Sequence, residues 1–327
     1  MKKQIKLPGN TLLSLYANMI KIRMFEERVS ELLLAGEIKC PTHLYIGQEA
    51  VAAGVCANLR KDDYTFGTYR SHGFYIAKGG DLNGLMAELL GKATGCSRGR
   101  GGSMHVVAPE IGILGTSAIV GGTVPLAVGC AMAMKLKNDK RVVVSFFGDG
   151  ATDEGVFYES VSFASLKKLP IVFVCENNFY STHLPLRFRQ PADNIWQRVK
   201  AFTMPAAHVD GNDVVAVYLT SRNAVEHARA KEGPFFIECR TYRWRAHVGP
   251  WDDIDVGFRT RKEVDKWKKR CPIKKLERTL FEMQILNAEK NDNIRTELED
   301  EIAHAYEFAS QSVYPDGKEL LEYVYRK

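Results

Sequence analysis

The stretch VVVSFFGDGATDEGVFYESVSFASLKKLPIVFVCENNFYST, residues 142–182, constrains the fold more than any other part of the chain. VVVSFF at 142–147 and IVFVC at 171–175 are continuous apolar runs of strand length. Unbroken rather than alternating apolarity marks strands covered on both faces, as in parallel sheets. A helical segment from about Glu154 to Lys168 lies between them. Strand, helix, strand is a βαβ unit, whose two strands run parallel and end on the same sheet edge. Ligands of open α/β sheets bind at that carboxyl edge. Gly148-Asp149-Gly150 and Glu176-Asn177-Asn178 follow the two strands, so Asp149 and Asn178 can meet in space.

That pairing suits a metal-bound diphosphate. The two glycines let backbone approach a phosphate, and the following helix offers N–H groups and a positive dipole end. Mg²⁺ takes few side-chain oxygens and leaves its other positions to phosphate and water. An Asp149 carboxylate with an Asn178 amide oxygen fits that need. A dinucleotide fingerprint would place glycine where Asp153 stands, and the Gly-Lys-Ser/Thr ending of a P-loop is absent.

The rest of the chain reads as one α/β domain over 1–327, a mostly parallel sheet with helices on both faces and helical extensions at both ends. The N-terminal extension, 11–36, has apolar residues at helical spacing and Gly36 as a stop. Helices are also expected at 47–59, 81–91 and 124–138, with a strand at 235–241. Residues 92–124 are dense in glycine and read as a long ordered loop, a feature that usually serves function. Residues 242–261 read as a second loop, and the tail 262–327 as helical and charge-rich. The five cationic side chains Arg243, Arg245, His247, Arg259 and Arg261 lead us to expect a second loop that is loose until an anion gathers them.

Composition narrows the class. The net charge of +6 is spread along the chain, which argues against a nucleic-acid stripe and points to an anionic small ligand. The seven cysteines have no zinc spacing, and an odd number fits free thiols in a reducing cytoplasm. No signal peptide and no membrane-spanning apolar run is visible.

GDG followed by NN resembles the diphosphate motif of thiamine diphosphate enzymes. HLYIGQEA (43–50), YRSHG (69–73), GCSRGRGGSMH (95–105), AIVGGTVPLAVG (118–129) and TYRWRAHVGP (241–250) narrow the likeness, because they occur in one family's order. That family is the α subunit of the decarboxylating component of 2-oxo acid dehydrogenase complexes, with acetoin dehydrogenase α subunits as close relatives. The resemblance spans about residues 15–275 and implies the thiamine diphosphate-binding fold with Mg²⁺.

Residue by residue, the resemblance implies that Asp149 and Asn178 hold the metal, with the backbone carbonyl of Tyr180. Gly150 and Ala151 would touch the diphosphate through their amides, and Tyr69 and Arg70 would hold it from the other side. Ala118 and Val120 would support the aminopyrimidine, Val120 also as the wedge that bends the cofactor. His43, His72 and His247 match active-site histidines, with His72 the one suited to holding the site together. Arg245, which stands where the family often has a second histidine, is placed with the cofactor-binding residues.

Cys40-Pro41-Thr42 departs from the Gly-Phe-Cys of pyruvate enzymes and so puts pyruvate itself in question. Val248 and Gly257 replace the mammalian regulatory serines, so control by a kinase is not expected at this loop. The resemblance further implies acyl transfer to a lipoyl group on an acyltransferase, and a β subunit that supplies the activating glutamate in an α₂β₂ assembly. Two alternatives from other classes are a thiamine diphosphate-dependent carboligase or lyase acting on acetoin or a sugar-like ketone without a lipoyl partner, and a non-catalytic nucleotide- or anion-binding module.

Overall fold

The computed structural model describes residues 7–322. Among these residues eight strands lie at Tyr64–Thr68 (β1), Ile113–Ser117 (β2), Val143–Gly148 (β3), Ile171–Asn177 (β4), Tyr180–Ser181 (β5), Leu184–Pro185 (β6), Ala206–Asp210 (β7) and Phe235–Arg240 (β8). Six form one parallel sheet in the order β2-β1-β3-β4-β8-β7, and β5 pairs with β6 in a small antiparallel hairpin. The helices are Gly9–Leu34 (α1), Glu49–Cys56 (α2), His72–Ala77 (α3), Leu82–Leu89 (α4), Thr123–Leu136 (α5), Gly155–Leu166 (α6), Leu186–Arg189 (α7), Ile195–Lys200 (α8), Val214–Arg229 (α9), Arg261–Lys268 (α10), Pro272–Glu282 (α11) and Ala288–Gln311 (α12).

The expected βαβ unit is β3–α6–β4, in parallel register with Gly148 opposite Glu176. Alternate residues of its strands enter different cores. Val144, Phe146, Val172 and Val174 pack with α1–α4, α9 and α12, whereas Val143, Phe147, Ile171 and Phe173 pack with α5, α6 and α8. Both faces are therefore dry, which is why the strand sequences are apolar throughout. The first helix ends near the expected glycine, with Gly36 at φ +74° after the Ala35 cap.

Residues 92–124 are not all loop. They contain β2, the short 3₁₀ turns Gly102–Met104 and Pro109–Ile111, and the first turn of α5. β2 (ILGTS), β1 (YTFGT) and β7 (AAHVD) escape sequence pattern because each is short and weakened by glycine or alanine. Pairing with already ordered strands makes them, so tertiary context overrides propensity. The tail is helical in α10–α12, and α12 returns across the fold to pack on α4 and α1; residues 1–6 and 323–327 of the expected 1–327 domain lie outside the described residues. Among the described residues no helix is long and apolar enough to cross a membrane.

Candidate active site

The site lies along the carboxyl edge of the sheet, because each strand hands its next residues to it. Tyr69-Arg70 follow β1, Ala118–Val120 follow β2, Asp149–Ala151 follow β3, Asn178 follows β4, and His247 lies beyond β8. The chain order reverses around β1 and β3, which leaves a crevice of the kind that holds ligands in open α/β sheets. One pocket there is lined by Tyr69, Arg70, Val120, Asp149, Gly150, Ala151, Asn178, Tyr180 and His247, together with Gln48, Thr68, Gly148, Glu176 and Ser181.

Asp149 is buried at 1% exposure. Its Oδ1 accepts the Asn178 N–H at 3.3 Å, so the two strand ends do meet. Burial pushes its carboxyl above the usual range, and the Arg189 guanidinium opposes that shift. The Asn178 amide donates to Gln48 Oε1 at 3.0 Å, while its own Oδ1 accepts from the Tyr180 N–H at 3.2 Å. At Gly150 a Cβ would come within 2.7 Å of Ser181 Oγ, so the approach to the turn Asp149–Asp153 is kept narrow and free of side chain.

Arg70 is fully enclosed. Its guanidinium donates to the carbonyls of Leu44 and His247, the latter at 3.1 Å, and among the described residues it has no carboxylate partner. A buried cation held only by carbonyls is an incomplete arrangement that an anion completes. His43, Tyr69 and His247 form a ring cluster with centroids 4.3, 4.9 and 5.4 Å apart. Burial, then the nearby Arg70 charge, holds His43 down to about 2 and His247 down to about 3. Both imidazoles are neutral at physiological pH, and His43 Nδ1 is buried without a hydrogen-bond partner.

The structure sets three of the expected site residues apart. His72 is fully buried behind the pocket, with Nδ1 on Glu26 Oε1 at 2.7 Å and Nε2 on Ser103 Oγ at 3.0 Å. Both ring nitrogens are used, so it joins α1 to the glycine-rich segment and does not reach the pocket. Arg245 points elsewhere, donating to Glu27 Oε2 at 2.9 Å and to the Pro250 carbonyl at 3.1 Å. Ala118 is half-buried after β2 and does not line the pocket; His43 does not line it either, but its ring packs on Tyr69 and His247, which do.

The loop 242–261 also differs from expectation. Asp253 sits between Arg243 (3.0 Å) and Arg259, Arg245 pairs with Glu27, and Arg261 lies 3.7 Å from Asp252. Counting the cations overlooked the acids interleaved with them, so the loop carries its own anion.

Five lining residues were missed, of which Gln48 and Glu176 are the most deeply buried. Gln48 is fully buried and its Nε2 has no partner. Glu176 is buried beside Arg70 and receives the Tyr45 hydroxyl, and burial raises its carboxyl to about 7. A polar side chain within an apolar motif was the available signal for both.

This α/β architecture brings a GDG turn, an Asn at the next strand end and a buried arginine to one pocket, the groups that a metal-bound diphosphate would need. The chain belongs to the dehydrogenase E1 component family, whose model matches residues 17–318. That family depends on thiamine diphosphate with Mg²⁺ or a similar divalent ion. The chain is 41% identical over 325 residues to the α subunit of acetoin:2,6-dichlorophenolindophenol oxidoreductase of Bacillus subtilis, covering 99% of this chain and 96% of that one. It is 38% identical over 330 residues to the pyruvate dehydrogenase E1 component α subunit of Porphyra purpurea, covering 98% and 95%. The corresponding subunit of Rhizobium meliloti is 37% identical over 309 residues, covering 94% and 88%. The residues present fit the cofactor: orphaned Gln48 Nε2 and His43 Nδ1, the side-chain-free turn at Gly150, and Arg70, which forms no ion pair among the described residues, all suit polar or anionic partners.

Proposed function

We propose that this chain is the α half of a heteromeric enzyme that decarboxylates a 2-oxo acid or cleaves acetoin and passes the acyl unit to a lipoyl-bearing acyltransferase. The observation that carries the reading is Arg70, a buried cation that forms no ion pair among the described residues and lines one pocket with Asp149 and the Gly150 turn.

The bound cofactor supplies a nucleophilic carbon and an electron sink. The chain's own residues bind, orient and move protons. Asp149, Asn178 and the Tyr180 carbonyl would hold the divalent ion, leaving its other positions to diphosphate oxygens and water. Arg70 and Tyr69 would take the diphosphate from the far side, and the Gly150 and Ala151 N–H groups would take it at the turn. Val120 would support the cofactor's ring system as an apolar wedge. His43 and His247, both neutral, can donate to an oxygen anion that develops on the substrate and can take the proton back. Thr42 supports that arrangement, because its carbonyl accepts the Gly249 N–H at 2.8 Å and ties the 40–42 segment to the histidine loop.

A β partner fits the surface next to the pocket. Ile119, Val120, Leu126, Leu136, Phe163 and Leu166 are exposed on α5, α6 and the turn before them. Exposed apolar side chains on two helices that pack together are the kind of surface that serves as an interaction face. The resemblance assigns the activating glutamate to the same partner. All seven cysteines are free, which supports work in the cytoplasm.

The experiment is reconstitution with the β subunit and a panel of 2-oxo acids and acetoin, following turnover with an artificial electron acceptor. The isolated chain is expected to be inactive and the pair active. In the pair, Asp149→Asn is expected to lose thiamine diphosphate binding by calorimetry with the fold intact. Robust turnover by the isolated chain, or unchanged cofactor affinity in that variant, would refute the reading.

A further inference from the structure

We propose that Arg189 holds the divalent cation's place beside Asp149 and gives it up by withdrawing onto Asp153; the proposal rests on the reading of Asp149 as a metal ligand. Asp149 is 1% exposed, and a buried carboxylate without a counter-ion is strongly disfavoured. Arg189 supplies the counter-ion. Its Nη2 pairs with Asp149 Oδ2, its Nη1 with Asp153 Oδ2, and its Nε donates to the Leu184 carbonyl at 3.2 Å. The side chain is itself only 8% exposed.

The two carboxylates are not equivalent. Asp149 Oδ1 accepts the Asn178 N–H, and the guanidinium covers Oδ2, the more open of the two oxygens to a metal. A dication bonded to that oxygen and a guanidinium in contact with it would repel each other at short range. Asp153 lies at the outer end of the same turn, 30% exposed, and its Oδ1 is fixed by Gln190 Nε2 at 2.7 Å. Gln190 is fixed in turn by Arg198 at 2.6 Å. Arg189 therefore has a prepared second partner that it already touches, and releasing Asp149 needs no new ion pair.

The element that carries Arg189 is light. It ends the four-residue helix α7, which follows the two-residue strands of the β5–β6 hairpin, and the next residue is extended. A small shift of this segment exchanges one half of a forked contact for a metal and keeps the other half.

The test is Mn²⁺ titration of the chain assembled with its β partner, with thiamine diphosphate present, read as loss of the free-ion electron paramagnetic resonance signal. That readout is independent of turnover. Arg189→Gln is expected to tighten Mn²⁺ binding about tenfold, because it removes a competing charge. Arg189→Lys keeps the charge and is expected to stay within about threefold of the unaltered protein. Asp153→Asn removes the second partner and is expected to weaken binding about tenfold, but to change nothing once Arg189 is Gln.

Equal or weaker binding in a folded Arg189→Gln variant would overturn the proposal. So would an Asp153→Asn effect of the same size in both backgrounds, which would make Asp153 a direct attractor of the metal. Asp153→Asn leaves the buried pair intact, so an unchanged affinity in that variant overturns the idea even where Arg189→Gln does not fold. Absence of Mn²⁺ binding by the unaltered protein would remove the metal assignment and this inference with it.

Discussion

The side chains of Arg70 and Arg189 are both enclosed at the sheet edge, yet among the described residues Arg70 hydrogen-bonds only to carbonyls, whereas Arg189 pairs with two carboxylates. That contrast separates a group awaiting an anion from a group that is already neutralised. The histidines beside Arg70 follow from the same electrostatics. His43 and His247 titrate far below the ordinary 6.5, so unfolding takes up protons as pH falls through that value. Stability is thus present above about 6.5 and drains away below it, by up to about 1.4 kcal/mol per pH unit for each group. Glu176, raised to about 7, acts with the opposite sign, because its folded form keeps a proton that the unfolded form loses above 4.5. His43→Asn is expected to flatten the loss of stability between pH 6.5 and 5.5, measured by urea unfolding of the unliganded chain. An unchanged slope would mean that His43 titrates normally in the folded state.

At the scale of elements, the loop 242–261 shows how a cation-rich segment orders itself. Asp253 gathers Arg243 and Arg259, and the two guanidiniums donate in turn to the carbonyls of Arg243 and Arg245. Glu263 anchors the helix that follows, receiving the Tyr180 hydroxyl at 2.9 Å and the Tyr242 hydroxyl at 2.9 Å. The loop is therefore expected to be protected from hydrogen exchange before any cofactor binds. Asp253→Asn leaves two buried guanidiniums without their carboxylate and is expected to cost roughly 3–5 kcal/mol. Exchange mass spectrometry of residues 245–258 would read it as loss of protection, and equal exchange in both proteins would contradict the network.

For the whole molecule, the open question is what covers the exposed side of α5. Gly129 sits on that side, and a Cβ built there meets nothing within 4 Å in this chain. A side chain is then sterically free in the isolated subunit and helps the helix by up to about 1 kcal/mol relative to glycine. Gly129→Gln is expected to leave the melting temperature of the isolated chain unchanged or higher while preventing assembly with the β subunit, as read by analytical ultracentrifugation. Normal assembly of the variant would move the interface elsewhere.

The motifs around β3 and β4 were legible because both signals are local. A strand buried on both faces must be apolar throughout, and a turn that approaches a phosphate needs glycine. From these the sequence by itself determined the βαβ unit and its ligand edge, with Asp149 and Asn178 at the two strand ends, whereas Arg70 was singled out only by the family resemblance. Tertiary structure alone decided what long-range contact creates. It paired β1, β2 and β7, whose own patterns are too weak, and it turned Arg245 to Glu27 and His72 to Glu26 and Ser103. It also set Arg189 on Asp149 across a separation of 40 residues. A side chain's chemistry can be read from its letter, but whether its charge faces a ligand or a neighbour depends on which distant carboxylate folding brings within reach.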